Sequence, residues 1–258
     1  MPVHPTAIVD VSAKIAESAI IGPYCIIGAD VEIGAGTELK SHIGVEGPTR
    51  IGEKNLVLPY SNIGGEPQDL KYHGERSETQ IGNRNKIHEF VTIHRGTEGG
   101  GGITRIGDDN LLQAYVHVAH DVQVGNNAML GHAVTFAGHV TVCDWAWIGA
   151  YTGVHQFCTI GRHSFVGGYS VVTQDVMPFS TIVSERTIKT FGANKVGLER
   201  RGFPKETIEH VQEAMRLLTH SKLNTSQAIE KIRAEVPPCA EIDELIGFIH
   251  ASARGVVK

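Results

Sequence analysis

The stretch IAESAIIGPYCIIGADVEIGAGTELKSHIGV, residues 15–45, carries an aliphatic side chain at Ile15, Ile21, Ile27, Ile33, Leu39 and Val45, one every six residues. That interval is neither the 3.6 of a helix nor the two of an ordinary strand. It reaches back to Val9 and Val3 and forward to Ile51, Val57 and Ile63. The period resumes at Ile81, Ile87 and Ile93, and from Ile106 it runs every six residues through Phe136 to Val172. A period this long marks a hexapeptide-repeat β-helix. Glycine often follows the aliphatic residue, as in Ile27-Gly28 and Ile148-Gly149, where the missing side chain permits a tight turn. Small or β-branched residues such as Thr37, Ser61, Ala128 and Thr152 stand four positions after it.

Three hexads close one triangular coil of 18 residues, so the expected fold is all-β with a thin, repetitive core. Each inward aliphatic side chain contributes roughly 1.5 to 3 kcal/mol. A chain of 258 residues with 30 glycines and 6% aromatic residues suits that architecture. No apolar run reaches membrane length, and the start MPVHPTAIVD lacks the features of a signal peptide, which predicts a cytoplasmic protein without a membrane span. Cys25, Cys143, Cys158 and Cys239 show no paired spacing and read as reduced filler, with no metal-thiolate site. The net charge of −5 gives no reason to expect nucleic acid.

The coil is expected over residues 1–190, with loops projecting near 64–80 and 94–105, where the period lapses. The first lapse, GGEPQDLKYHGERSETQ, is polar; the second contains four consecutive glycines, Gly99 to Gly102. Many insertions in repeat proteins are merely tolerated, but Asp69 and Lys71 put opposite charges on one short loop and favour a binding role. An irregular connection is expected from Pro178, followed by a small C-terminal α-helical domain over 191–258. Its first helix begins near Pro204 with Ile208, Val211, Met215 and Leu218 on one face; two more span Thr225 to Val236 and Glu241 to Arg254. These helices would cover an otherwise open end of the solenoid.

Residues i and i+18 lie one above the other, about 4.8 Å apart. His120 is thereby placed beneath Gly138, Asp121 beneath His139, and Ala137 beneath His155, with His117 in the same coil as His120. A histidine beside a carboxylate is the usual construction of a general base. A glycine one rung away leaves a bare N–H for a developing oxyanion. Any single histidine could be surface decoration; histidines on three successive coils favour a site. Three imidazoles, from His117, His120 and His139, could instead hold zinc, as in a metal-dependent β-helix hydratase.

The segments QDLKY (68–72), IHRGT (93–97), DNLL (109–112), HVAHD (117–121), AGHV (137–140), VHQFC (154–158), QDV (174–176) and RRGF (200–203) resemble the UDP-N-acetylglucosamine O-acyltransferase family of lipid A synthesis in Gram-negative bacteria. The resemblance spans essentially the whole chain. It implies a left-handed coil, a homotrimer with sites between subunits, and transfer of an R-3-hydroxyacyl group from acyl carrier protein to the 3-position of UDP-GlcNAc. No resident cofactor is implied, since the phosphopantetheine arrives on the carrier. It further implies His120 as base, Asp121 as its orienting acid and Gly138 as oxyanion donor. Asp69, Lys71, His94, His117 and His139 would line the sugar and acyl-donor pocket, and His155 and Gln156 would lie beside the diphosphate. Asn194, Arg200 and Arg201 would contact nucleotide and phosphate, with solvated surface as the bland alternative for the two arginines. Gly168 would sit at the end of the acyl pocket. The basic run Arg186, Lys189, Lys195, Arg200, Arg201 and Lys205 suits an acidic carrier protein.

Two positions depart from the family pattern. Val196 replaces an acidic residue, and Gly131-His132 replaces an Asn-Asn pair. Both leave room for a 3-amino acceptor and an amide product, although the ester is favoured. The related N-acyltransferases carry an extra N-terminal uridine-binding domain, whereas here the coil begins at Val3. A coenzyme A acetyltransferase would need no such helical domain, and an inert scaffold would leave the histidine cluster unexplained.

Overall fold

A computed structural model describes residues 3–184 and 188–257; Arg186 of the expected basic run lies outside them. The aliphatic hexads form short parallel strands that stack into three sheets, one per side of a triangular prism. The first face runs from Ile8–Val9 to Val171–Val172, the second from Lys14–Ile15 to Thr159–Ile160, and the third from Ile20–Ile21 to Phe165–Val166. Registers follow the 18-residue arithmetic: Ile8 pairs with Ile26, His117 with Thr135, and Trp147 with Phe165. The coil is left-handed, with a small helical C-terminal part.

Its interior is the predicted column of aliphatic side chains, with Ile21, Ile27, Leu39, Ile63, Leu112 and Phe136 all buried. Thr37, Ser61, Ala128 and Thr152 are buried at the corners. Nearly every corner turns through one residue in the left-handed region, and non-glycine side chains occupy it with φ between 54° and 65°. Hydrogen bonds shared between coils hold these turns. At the corner between the second and third faces, Asn55, Asn85 and Asn110 form a buried ladder. Each side-chain oxygen accepts from the backbone N–H of the next coil, ending at Ala128, while Asn85 and Asn110 each donate to a glycine carbonyl.

Both lapses of the period fall at one corner, between the first and second faces. There the strands Asn62–Gly65 and Glu78–Ile81 bracket one loop, and Thr92–His94 and Ile103–Ile106 bracket the other. The strands therefore consume part of each expected loop range.

Beyond the coil the structure differs from the expected irregular connection. Ser180–Ser184 extends the third face, and Ile188–Ala193 pairs back on it antiparallel. Ile182 still fills the coil core, but the antiparallel return of the second strand breaks the six-residue signature. Among the described residues four helices follow: α1 (Lys195–Arg200), α2 (Lys205–Thr219), α3 (Thr225–Glu235) and α4 (Ala240–Ala251). The first was not expected; it is a short turn capped by the Asn194 side chain, which accepts from Gly197 N–H. Pro204 stands just before α2, and Asn224 with Gln227 makes a capping box on α3. Ile208, Val211, Met215 and Leu218 are buried as expected, in a second core with Met177 and Phe179. Arg162 ties the coil to Glu244 of α4 by a bidentate ion pair, and the chain end returns to bury Val257 against the coil.

Candidate active site

The corner that carries the two loops also carries, on the next coils, Asp121, His139 and Phe157, each with positive φ. The turn repeats geometrically, so these residues leave the coil in one direction. His139 lies flat on Phe157, with centroids 4.4 Å apart, and edge-on to His120 at 5.1 Å. His120 and Asp121 are neighbours in sequence, yet the left-handed turn at Asp121 brings its carboxylate back so that His120 Nδ1 donates to Oδ2 at 2.8 Å. The Asp121 side chain is 1% exposed and that of His120 13%. His120 Nε2 is left for a reacting proton.

Gly138 covers the His120 ring so closely that an added Cβ would lie 2.4 Å from Cε1. Among the described residues, the Gly138 N–H has no backbone acceptor. Outward residues of the first face, including His117, Thr135, Gly153 and Val171, form the floor of a cleft of about 900 Å³. Its wall includes His120, Gly138, His139, His155 and Gln156, and Asp69 and Lys71 reach over it from the first loop. A larger open trough of about 1150 Å³ along the second face is lined by Lys14, Glu32 and Arg50, which pair with each other across the coils, and by Arg105, which donates to Gln80. The histidine cleft is therefore the candidate active site.

Burial pushes the His117 imidazole down to about 4, so it is neutral at pH 7 and shares a hydrogen bond with Thr92 Oγ1 at 2.8 Å. Burial also lowers His94 and His139, in the latter case against the pull of the Asp121 carboxylate. The Lys71 backbone N–H holds the half-buried Asp69 carboxyl below its usual range. His94 packs edge-on to His117, and its Nδ1 meets the Glu66 carbonyl at 2.6 Å, which ties the base of the first loop.

His120, Asp121 and His139 have ligand-type atoms within 4.8 Å of one another. They do not match the imidazole triad expected for zinc, because His117 is engaged by Thr92. Both Asp121 oxygens already accept from Thr97, through its N–H and its hydroxyl, and His120 spends its Nδ1 on the same carboxylate. The Asp121 carboxylate and the His120 ring are thereby joined in a hydrogen-bond relay.

The remaining expected residues lie elsewhere. Asn194, Val196, Arg200 and Arg201 border a separate cavity of about 520 Å³ on the third face, floored by Trp147 and Phe165. Arg201 lies over the Trp145 ring and donates to the Trp145 carbonyl at 3.0 Å, so it is not simply solvated. Gly168 is exposed at the edge between the third and first faces, its Cα facing the Ala150 carbonyl. His132 stands on that same edge between Tyr115 and Tyr151, away from the histidine cleft. Sequence reasoning missed Thr97, Trp145 and Trp147. IHRGT contained Thr97, but no periodicity points from a lapsed loop to a carboxylate 24 residues on.

A left-handed hexad coil with a histidine–aspartate pair in a cleft defines the hexapeptide-repeat transferase class, and the bacterial transferase hexapeptide pattern matches residues 103–138. The pattern described as Udp N-acetylglucosamine O-acyltransferase, domain 2, matches residues 175–257. Over 99% of both chains, the sequence is 46% identical to the acyl-[acyl-carrier-protein]–UDP-N-acetylglucosamine O-acyltransferase of Thermodesulfovibrio yellowstonii. It is 41% identical to the protein of the same name from Syntrophobacter fumaroxidans over the full length of both. The solved structure of the Acinetobacter baumannii enzyme superposes with a TM-score of 0.96 at 42% identity, each chain covered completely. The chain belongs to the UDP-N-acetylglucosamine O-acyltransferase family.

Proposed function

We propose that this protein transfers an R-3-hydroxyacyl group from acyl carrier protein to the 3-hydroxyl of UDP-GlcNAc, the first step of lipid A synthesis. The observation that carries the reading is the His120–Asp121 pair beneath the Gly138 N–H. His120 Nε2 takes the proton of the sugar hydroxyl as its oxygen attacks the thioester carbonyl, and Asp121 stabilises the imidazolium. The Gly138 N–H donates to the oxyanion. Collapse expels the phosphopantetheine thiolate, which recovers the proton from His120. Asp69, Lys71 and His139 border the acceptor sugar, and neutral His117 packs beside it.

The ester is the product in this reading, since the relatives are named O-acyltransferases and neither departure touches His120 or Gly138. Val196 belongs to the third-face cavity and His132 to the edge.

Two half-sites on different faces support a homotrimer. The first face carries the base, and the third carries Asn194, Arg200 and Arg201. Their common edge bears a ladder of rings, Tyr24, His42, Tyr60, Phe90, Tyr115, His132, Tyr151 and Tyr169, spaced 4.8 to 5.4 Å apart. Six of these are substantially exposed aromatic side chains. Outward residues of the third face include Ile20, Leu56, Leu111, Met129 and Trp147, whereas the second face presents charges. Three-fold packing about the ring edge sets the third face of one copy against the first face of the next and joins the half-sites. The basic Lys189, Lys195, Arg200 and Lys205 then stand beside the cleft mouth, suited to an acidic carrier protein. No described helix is long and apolar enough to cross a membrane, and action on soluble substrates suits the cytoplasm.

The test is incubation with UDP-GlcNAc and a series of R-3-hydroxyacyl carrier proteins, with mass spectrometry of the sugar nucleotide. An O-acylated product is expected; the absence of any acylated product with every donor would refute the reading.

A further inference from the structure

Thr97 occupies the position before the short turn Glu98–Gly100, with the extended backbone usual for a helix cap, yet its side chain makes no capping hydrogen bond. Its hydroxyl turns inward and donates to Asp121 Oδ2 at 2.6 Å, while its N–H donates to Oδ1 at 2.8 Å. Oδ2 is the oxygen that also accepts from His120 Nδ1. Thr97, Asp121 and Thr104 are all at most 5% exposed, and the Thr104 hydroxyl accepts from the Asp121 N–H. The second loop thus holds the Asp121 carboxylate, while the coil holds its backbone N–H.

The glycines of that loop belong to the same device. A Cβ at Gly100 would lie 2.0 Å from the Asp121 carboxyl carbon, so only glycine lets the loop close on it. The Thr97 carbonyl accepts from both Gly100 and Gly102 N–H, which folds the run back onto Thr97. Gly101 and Gly102 have φ of 89° and 79°, where glycine is the natural occupant. A loop serving only as a flexible connection needs none of this.

We infer that Thr97 is a positioning residue for the general base, acting through Asp121, and that the glycine run exists to deliver its hydroxyl. This rests on the acyl-transfer reading above. Two donors to Asp121 fix the carboxylate so that His120 has one ring orientation and one tautomer, with Nε2 facing the cleft. The other ionisable groups that face the pair are Asp69 and Lys71 from the first loop and His94, His117 and His139 from neighbouring coils. None of them donates a hydrogen bond to Asp121 within normal range; His139 Nδ1 stands off at 3.8 Å.

The experiment compares Thr97→Val, Thr97→Ser and the unmodified protein in steady-state transfer across pH, with melting temperatures measured alongside. Valine keeps the shape and the N–H and removes only the hydroxyl. It should lower kcat roughly 10- to 100-fold, the range for a hydrogen bond to a charged group, with KM for UDP-GlcNAc little changed. The carboxylate that has lost a donor becomes more basic and holds the His120 proton more strongly. The acid limb of kcat/KM should therefore move to higher pH. Serine should restore both rate and limb. If Thr97→Val does not fold, Gly100→Ala carries the test, because its methyl displaces the carboxylate while Thr97 stays intact, and the same kcat loss is expected. An active unmodified enzyme whose folded Thr97→Val variant keeps its rate and pH limb overturns the inference, as does a loss that serine fails to restore. An inactive unmodified enzyme instead overturns the acyl-transfer reading.

Discussion

Gly138 and His120 belong to successive coils, and the space between the glycine Cα and the imidazole is too small for a methyl group. In the proposed reaction the same close approach would bring the Gly138 N–H and His120 Nε2 to one carbonyl. Gly138→Ala keeps the N–H but should push the His120 ring aside, leaving the coil folded and reducing kcat by roughly two orders of magnitude through a misplaced base. Steady-state kinetics with a melting curve would check it; near-normal turnover would show that the close approach of Gly138 to the ring does not matter to the reaction.

His120→Ala should reduce turnover by a factor on the order of 10² to 10⁴. UDP-GlcNAc should still bind, because the inward aliphatic column is untouched. A variant that retains most of its turnover shows that another group accepts the proton.

Lys71→Ala and Arg201→Ala probe the two half-sites from different faces. Both should raise KM for the sugar nucleotide or carrier. Lys71→Ala should leave the melting temperature unchanged, whereas Arg201→Ala should lower it slightly because the guanidinium also covers Trp145. Light scattering on the same samples should give a trimer mass; a monomer at micromolar concentration would separate the half-sites and defeat the shared-site arrangement.

How much of this was legible in the sequence follows from what repeats. Ile21, Ile27 and Leu39 revealed the coil because each does the same job as its neighbour one coil away. His120, Asp121 and Gly138 could be brought together by counting to eighteen, and the structure stacks them so. Thr97 and the strands Ser180–Ser184 and Ile188–Ala193 escaped because they lie where the count lapses. The side on which Arg201 sits was not legible either, since its partner Trp145 is set by a backbone carbonyl and a ring face, not by a period.

Acid stability carries a fourth prediction. Burial holds both His117 and His163 near 4 in the folded chain, against about 6.5 when exposed. The unfolded chain therefore binds more protons below about pH 6.5, and folded stability falls as pH drops from there toward 4. Urea midpoints measured across that window should decline. His163→Phe, which keeps a ring between Trp145 and Phe179, should flatten part of the decline; an unchanged slope would assign it to other groups.

Asn85→Ala should destabilise the coil by about 2 to 4 kcal/mol, because it orphans the buried Asn110 N–H and the Gly107 carbonyl. Thermal unfolding of a folded but less stable variant would confirm it; an unchanged midpoint would show that water replaces the amide.

That ladder also insulates. Asn55 and Asn85 are stacked although 30 residues separate them, and Asn85 and Asn110 although 25 do, while Asn110 reaches Ala128 across the usual 18. The extra length is looped out at the opposite corner and never enters the register. The chain can therefore remodel what its first loop recognises, by insertion or deletion, while the spacing of its stacked reactive atoms is inherited unchanged. Recognition and chemistry in this protein are free to evolve at different speeds.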